Sequence, residues 1–387
     1  MTKICQDPPA IASHFAHVED PRIERSKRHL LIDVMTITIL AVICGADSWV
    51  AVVQFGKAKE TWLKTFLKLP NGIPSHDTIG RVFSLLDPEQ FAKGFIDWIA
   101  TLRTFLPFEV IAVDGKTVRG SYDKAMGINA IHMVSAWACR NGLLLGQRKI
   151  DEKSNEITAI PKLLALLDLY GTTVTIDAMG CQRDIAEQIV TQGGGYALAL
   201  KGNQPSINDE VRMLFDNTTI EVLEAKSASS AETVDGDHGR VETRKYLVID
   251  NLSDLPSTMT WPGIHAIGIA DRTRESNGKI ENERAFYLLS EAMPADRFGW
   301  TVRSHWGVEN NLHWSLDVSF SEDKSRVRKD NAAENFATLR RLALTLLKEA
   351  PSKVGIATRR LRAGWDNDFL LQVVAGQPHK PPAVKGD

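Results

Sequence analysis

The sequence has few cysteines, little net charge and no long apolar run. Its 387 residues include four cysteines without C-x-x-C spacing, which argues against a disulfide framework or a zinc knuckle and fits a reducing compartment. The first ten residues are mixed and polar, so no secretory signal is predicted. The most apolar stretch, residues 30–46, is short and contains Asp33, which is typical of a buried helix rather than a membrane span. We therefore expect a cytoplasmic protein without membrane contact.

The charge balance argues weakly against a nucleic-acid ligand. A formal net charge of −2 lacks the basic footprint that DNA-binding proteins normally show. Basic clusters at 22–29, 324–329 and 359–362 soften this objection, although each is equally compatible with a solvated surface. With 387 residues, 43% hydrophobic and 24% charged, the chain is expected to be a soluble protein with two or more structural units.

Residues 10–105 are predicted to form an all-helical domain. Ser75 is a good N-cap for a helix that continues through Leu86, and Asp87-Pro88 places proline at the first position of the next helix. Two short helices with a tight break between them are compatible with a DNA-reading helix-turn-helix. They are equally compatible with an ordinary helical domain.

From residue 108 the pattern changes to α/β. Apolar runs predict the order β-β-β-α-β-α-β between residues 110 and 200, with the first helix over 157–169. Residues 203–292 do not continue this alternation and are too many for a loop, so we expect a β-rich insertion with strands near 240–249, 263–271 and 284–289. Long helices are predicted near 296–309 and over 331–350, followed by a C-terminal tail over 351–387.

Three separated carboxylates suit a metal-dependent phosphoryl-transfer site. Asp114 closes the apolar run 110–113, Asp177 closes the run 174–176, and Glu309 lies in a later helical segment. Mg²⁺ prefers oxygen ligands from one or two carboxylates and leaves room for water and phosphate. Two such ions, roughly 3.5–4 Å apart, can clamp the attacking and leaving oxygens at phosphorus. An aspartate that ends a strand is also common in simple turns, so each is weak evidence alone.

The helix around Glu309 is unusual in composition. His305, Glu309 and His313 share one broad helical face, beside a stripe that contains Trp306 and Trp314. Tryptophans at this spacing are usually buried, and we expect both in the core. A zinc hydrolase site on the two histidines and Glu309 is an alternative, but the H-E-x-x-H pair is absent.

These segments resemble a known family when they are taken in order. They are Asp20-Pro-Arg, Pro74-Ser-His-Asp-Thr-Ile-Gly-Arg81, Ala112-Val-Asp-Gly-Lys-Thr117, Ile176-Asp-Ala-Met-Gly-Cys-Gln182, Ala199-Leu-Lys-Gly-Asn-Gln204, His305-Trp-Gly-Val-Glu-Asn310 and His313-Trp-Ser-Leu-Asp-Val-Ser-Phe-Ser-Glu-Asp323. The chain resembles the H-repeat-associated insertion-sequence transposases, of the DDE superfamily. The resemblance implies a ribonuclease-H-like mixed sheet over 108–350 with the β-rich insertion, preceded by a helical transposase-associated domain. In such a sheet the first and fourth strands are neighbours.

The resemblance also implies the chemistry and the partners. Asp114, Asp177 and Glu309 would be the catalytic acids and would hold two Mg²⁺ ions, for which Mn²⁺ would substitute. The partners would be double-stranded DNA, as element terminal repeats and as target, and a second copy of the chain as a homodimer on DNA. Lys201 and Asn203, at the end of the fifth strand, would contact the DNA backbone.

One departure concerns the basic partners of the third acid. Related transposases often have a Tyr, Arg, Glu, Lys signature, where this chain has Val302, His305, Glu309 and Leu316. Arg303, Lys324 and Arg326 are the candidates to replace the missing DNA-phosphate contacts. The acids that compete with Glu309 for the third position are Asp317, Glu322 and Asp323.

Two other functions remain possible from the sequence. An inactive transposase relic would bind DNA without cutting it, which the departure from the signature favours. A stand-alone metal-dependent endonuclease would cut DNA but never join it.

Overall fold

The protein is described from a computed structural model. Residues 11–375 are described, apart from residues 103–105, 107, 125, 128, 151–154, 217, 238–239 and 277. The architecture is mixed α/β, with one sheet of nine strands and helices around it. Within the described part of the chain, no helix is both long and apolar enough to cross a membrane.

The N-terminal part is helical, as predicted. Its helices are α1 (Ile11–His14), α2 (Leu31–Ile43), α3 (Trp49–Ala58), α4 (Glu60–Leu63), α5 (His76–Leu85) and α6 (Pro88–Leu102). Helix α2 is buried from Asp33 to its end, which confirms the buried-helix interpretation of residues 30–46. The Ser75 hydroxyl accepts a hydrogen bond from the Thr78 amide, so the predicted N-cap of α5 is confirmed.

The nine strands form one continuous mixed sheet. They are β1 (Val110–Thr117), β2 (His132–Ala138), β3 (Leu143–Lys149), β4 (Thr173–Ile176), β5 (Gly195–Leu200), β6 (Ser229–Asp237), β7 (Arg240–Ile249), β8 (Ala266–Ser276) and β9 (Lys279–Leu289). Their spatial order is β3-β2-β1-β4-β5-β9-β8-β7-β6. The pairs β1–β4 and β4–β5 are parallel, and all other neighbours are antiparallel.

The remaining helices cover the sheet and join it to the N-terminal helices. They are α7 (Glu156–Leu164), α8 (Arg183–Thr191), α9 (Pro205–Phe215), α10 (Ile220–Lys226), α11 (Ala295–Val308), α12 (Trp314–Phe320), α13 (Ala332–Glu349), α14 (Ile356–Trp365) and α15 (Asn367–Ala375). A π-helical turn, Glu309–His313, connects α11 to α12.

The segment 203–292 contains more than the three strands predicted for it. Strand β6 and helices α9 and α10 were not anticipated, and β9 pairs with β5. The four strands β6–β9 therefore extend the main sheet instead of forming a separate one. Edge strand β6 alternates small and polar side chains, so it lacks the apolar run that identifies a buried strand.

The C-terminal residues differ from the predicted tail. Helices α14 and α15 occupy much of 351–387, and residues 376–387 lie outside the described part. The Arg360 guanidinium donates to the Val42 carbonyl at 2.9 Å. The Asn335 amide of α13 donates to the carbonyls of Phe83 and Leu86. Among the described residues, the N-terminal helices thus share one core with α13, α14 and α15, in which α14 contacts α2 and α13, and α15 contacts α13.

Candidate active site

Asp114 and Asp177 lie side by side on the sheet. Strands β1 and β4 are parallel, and Val113 is paired with Ile176, so the residue after each is the aspartate. Neighbouring strands are separated by about 4.8 Å. The Asp177 carboxylate accepts hydrogen bonds from the Met179 and Gly180 amides at 3.1 and 3.3 Å, and this turn holds one of its oxygens in place.

The carboxylate of Asp114 lies among other negative charges. Its pKa is raised to about 6, mainly by burial and also by the charges of Glu156, Asp177 and Glu309, against a hydrogen bond from the Gly115 amide. Nδ1 of His313 lies 3.5 Å from Oδ2 of Asp114. Like charges that share a half-buried space favour either protonation or a bound cation.

Glu309 begins the π-helical turn that interrupts the last long helix of the site. Such turns insert one extra residue and occur frequently at functional sites. The side chain of Glu309 is exposed, and among the described residues it makes no ion pair or hydrogen bond. It also borders a cavity of about 570 Å³ whose wall contains five arginines and Trp306. The five arginines are Arg240, Arg244, Arg272, Arg274 and Arg303.

The three competing acids all have basic partners. Asp317 pairs with Lys116 at 2.8 Å, and Asp323 lies 3.8 Å from the same amine. Glu322 is fully buried against Arg341 at 2.6 Å. The charge of each of these carboxylates is therefore offset by a basic side chain. Among the described residues, no basic side chain forms an ion pair with Glu309.

The two histidines of this helix face different strands. His305 lies 3.1 Å from the Thr175 hydroxyl of β4, whereas His313 faces Asp114 of β1. Burial lowers the pKa of both, to about 3 for His313, so both are neutral at pH 7. The zinc alternative finds no support in this arrangement.

The prediction that Trp306 and Trp314 belong to the core is wrong. Their exposed fractions are 61% and 60%. Val308, Leu312 and Leu316 form the buried stripe of this helical segment, and the two tryptophans fall on its other side. Helical spacing predicts that residues share a face but does not say which face is buried.

The candidate DNA-contacting residues lie on several different elements. Lys201 is exposed at the end of β5, and the Asn203 amide donates to the Ala178 carbonyl at 2.5 Å. Asn203 therefore holds the turn that follows Asp177. Arg303 pairs with Asp235 at 3.3 Å on the β6 side.

Lys324 and Arg326 lie on the opposite side of the centre. Both are exposed and flank Ser325. The Ser325 carbonyl packs so closely on Gly120 that a Cβ added at Gly120 would lie 2.3 Å from its oxygen. This close backbone contact places the two cations beside the loop that follows β1.

Sequence reasoning missed His132 and Glu156. Nε2 of His132 lies 2.7 Å from Oε1 of Glu156, and Nδ1 lies 2.8 Å from the Thr117 hydroxyl. Glu156 is the first residue of α7, where an acid usually only offsets the helix dipole. The predicted helix began at Ile157, so Glu156 was not considered. The β1–β2 register, which pairs Thr117 with His132, was the available signal.

The side chains suit a hard divalent cation in chemistry but do not form a closed cage. Among the described residues, no three His, Cys, Asp or Glu side chains are close enough to hold one ion together. Mg²⁺ needs only one or two carboxylates, because water and phosphate complete its shell. The unneutralised charge around Asp114, which raises its pKa, is the observation that fits a bound cation.

Two families match this chain. The family described as "DDE_Tnp_1-associated" matches residues 12–99. The family described as "Transposase DDE domain" matches residues 106–346.

Individual proteins are similar over long stretches. The "H repeat-associated putative transposase YhhI" of Escherichia coli (strain K12) is 39% identical over 372 residues, 95% of this chain and 98% of that protein. The "Uncharacterized protein in dhlA 3'region" of Xanthobacter autotrophicus is 46% identical over 278 residues, 71% of this chain and 92% of that protein. A solved piggyBac transposase synaptic complex with hairpin DNA covers 98% of this chain and 82% of its own, with a TM-score of 0.42 and 8% identity, which is too weak to carry an argument.

Proposed function

We propose that this chain, which belongs to the Transposase DDE domain family, cleaves the ends of an insertion element and joins them to target DNA. The observation that carries this proposal is the neighbouring position of Asp114 and Asp177, each of which directly follows the last paired residue of the parallel strands β1 and β4. Glu309, exposed and unneutralised among the described residues, is the third acid of the proposed centre.

We infer a ribonuclease-H-like catalytic core from the strand order. Strands β3-β2-β1-β4-β5, with β2 antiparallel to β1, support this assignment. The catalytic domain would span residues 108–350, with 203–292 inserted between β5 and α11. Residues 10–105 would form the transposase-associated domain, and helices α14 and α15 would complete its core.

Transposase DDE domains generally use divalent metal ions. Two Mg²⁺ ions, or Mn²⁺ in their place, would neutralise the charge that develops on the reacting phosphate. Asp114 would contact both ions, and Asp177 and Glu309 one each. The hydrogen bonds from the Met179 and Gly180 amides would orient the carboxylate of Asp177 for this role.

The proposed reaction has two steps at one site. Water first attacks the phosphodiester and leaves a 3′-hydroxyl on the element end. That hydroxyl then attacks a target phosphodiester, so no covalent protein intermediate forms. The positioning of the DNA and the neutralisation of charge together carry this chemistry. Lys201, Arg303, Lys324 and Arg326 would hold its backbone, and Asn203 would hold the turn after Asp177. A homodimer on DNA would bring two ends together.

The test is cleavage of DNA that spans the borders of the chain's own gene. Purified protein is incubated with Mg²⁺ or Mn²⁺, and nicks and joined products are mapped for the wild type and for Asp177→Asn. Asp209→Asn, an exposed carboxylate of α9, is the matched control. We expect metal-dependent 3′-hydroxyl ends at a repeat border and strand-transfer products, both absent in Asp177→Asn.

The alternatives give different results in the same assay. The inactive relic binds DNA in a salt-sensitive way without cutting it; the replacement of the signature by Val302, His305 and Leu316 favours this alternative. A relative named "Inactive transposase YbfQ" from Escherichia coli (strain K12) is 39% identical over 74 residues, 19% of this chain and 88% of that protein. Nicks without joined products would identify an endonuclease. Cleavage that persists in Asp177→Asn would contradict the assignment of the acids.

A further inference from the structure

We propose that Glu156 is a fourth carboxylate of the metal-binding centre and that His132 aligns it. This inference rests on the proposed function, since it concerns the same centre. It assigns a role to two residues that lie outside the motifs on which the three-acid site was based.

The orientation of Glu156 is set by a chain of hydrogen bonds from the catalytic strand. With the Thr117 hydroxyl donating to Nδ1 of His132 at 2.8 Å, the Nε2–H of the same ring donates to Oε1 of Glu156 at 2.7 Å. His132 is directly paired with Thr117 between β2 and β1. One carboxylate oxygen is thereby occupied. The other makes no hydrogen bond to a described residue, so it remains able to bind a ligand.

The backbone of β1 is adapted to the close approach of this pair. A Cβ added at Gly115 would lie 2.2 Å from Oε1 of Glu156 and 2.4 Å from Nε2 of His132. Any other residue at this position would displace the carboxylate. Gly115 follows Asp114 directly, so Glu156 and His132 approach the backbone of β1 beside the first acid, from the face opposite to the one on which the Asp114 side chain starts.

The electrostatics of Asp114 agree with this position. The charge of Glu156 acts on Asp114, as do the charges of Asp177 and Glu309. Two neighbouring half-buried carboxylates repel each other unless a proton or a cation lies between them. A residue kept only for packing would not need this charge.

His313 gives independent evidence that the space beside Asp114 is built for a polar ligand. Its ring is nine-tenths buried, its Nδ1 lies 3.5 Å from Asp114, and its Nε2 has no hydrogen-bond partner among the described residues. Leaving a buried polar atom without a partner costs about 1–3 kcal/mol. A bound ion and its water would satisfy this nitrogen.

The stoichiometry of carboxylates supports the same conclusion. Each Mg²⁺ or Mn²⁺ ion takes one or two protein carboxylates, so a pair of ions can take up to four. Glu156 would give one ion a second carboxylate from the side of the sheet opposite to Glu309's helix. The proposed role of Glu156 is to bind a metal ion, so no bond is made or broken in it.

The test is Mn²⁺ binding by the full-length protein without DNA, measured by calorimetry and by electron paramagnetic resonance. Glu156→Gln retains an acceptor for His132 and removes only the charge. We expect its Mn²⁺ affinity to fall at least 10-fold or one of two ions to be lost. His132→Gln should weaken binding 10-fold or more, in the range seen when outer partners of metal ligands are removed. Glu210→Gln, a hydrogen-bonded carboxylate of α9, should bind Mn²⁺ like the wild type.

Asp114→Asn separates the failure of this inference from the failure of the proposed centre. If Asp114→Asn abolishes Mn²⁺ binding and Glu156→Gln leaves it unchanged, the centre stands and the role of Glu156 is refuted. If the wild type binds no Mn²⁺, both are refuted. Glu156→Asp keeps the charge on a shorter side chain, so partial retention of affinity is expected, and its circular dichroism spectrum and urea midpoint establish that it folds. Full wild-type affinity in both Glu156 variants would also overturn the inference.

Discussion

Replacement of Asp114 by Asn should stabilise the metal-free protein. Burial and neighbouring carboxylates raise the pKa of Asp114 from 3.8 to about 6 in the folded state. The folded chain therefore binds this proton more tightly than the unfolded chain, and ionisation costs stability. This loss of stability is absent below pH 4, grows between pH 4 and 6, and is complete above pH 6. The full shift corresponds to about 3 kcal/mol. Since the side chain is 29% exposed, we expect about 1–3 kcal/mol.

Urea denaturation with and without metal measures this effect. In EDTA at pH 8, Asp114→Asn should be more stable than the wild type by that amount, and the difference should vanish near pH 4. A ligand at 100 times its Kd adds about 2.7 kcal/mol to a protein that binds it. Saturating Mn²⁺ should therefore stabilise the wild type more than the variant and close or reverse the gap.

Two results would refute the reasoning. If Asp114→Asn is less stable than the wild type in EDTA at pH 8, ionisation of Asp114 does not destabilise the folded protein. If Mn²⁺ stabilises both proteins equally, Asp114 does not bind the ion. Asp209→Asn should show neither effect, because this carboxylate is exposed on α9.

Two further predictions concern other residues. Burial lowers the pKa of Lys348 to about 8, so its charge costs stability below pH 8. Lys348→Met should raise the free energy of unfolding at pH 7 by at most about 3 kcal/mol, measured by urea denaturation, with a smaller gain at pH 10. The Trp137 ring, 4.4 Å from its amine, offsets part of that cost. Asn203→Ala should reduce cleavage more than DNA binding, because its amide supports the turn after Asp177, whereas Lys201→Ala should mainly raise the Kd for DNA in filter binding.

The strands that position the two aspartates were predictable from local signals. The apolar runs before Asp114 and Asp177 predicted β1 and β4, and the structure confirms both strands. Their adjacency followed from the resemblance, since strand order depends on contacts between distant segments. The predicted strand 240–249 coincides with β7, whereas polar edge strand β6 gave no local signal.

The features that were missed depend on tertiary structure. Hydrophobic spacing could not show that Trp306 and Trp314 face outward, nor that the helix changes to a π turn at Glu309. The contact between His132 and Glu156 requires the β1–β2 register and the start of α7 together. Residues 356–375 form two helices rather than a tail, because they pack on α13 and, in the case of α14, on α2, which lies about three hundred residues earlier in the chain.

The pairing of β5 with β9 determines when the sheet can be completed during synthesis. Ala197 is paired with Leu289, so the inner edge of β5 stays open until the whole intervening segment has left the ribosome. At about 5–20 residues per second, those roughly ninety residues take about 5–20 seconds. An unpaired, largely buried strand edge is a site for aggregation. Completion of the sheet in the nascent chain is thus delayed at β5 until β9 has been synthesised. Any shortened product that ends before β9 would keep the edge of β5 exposed.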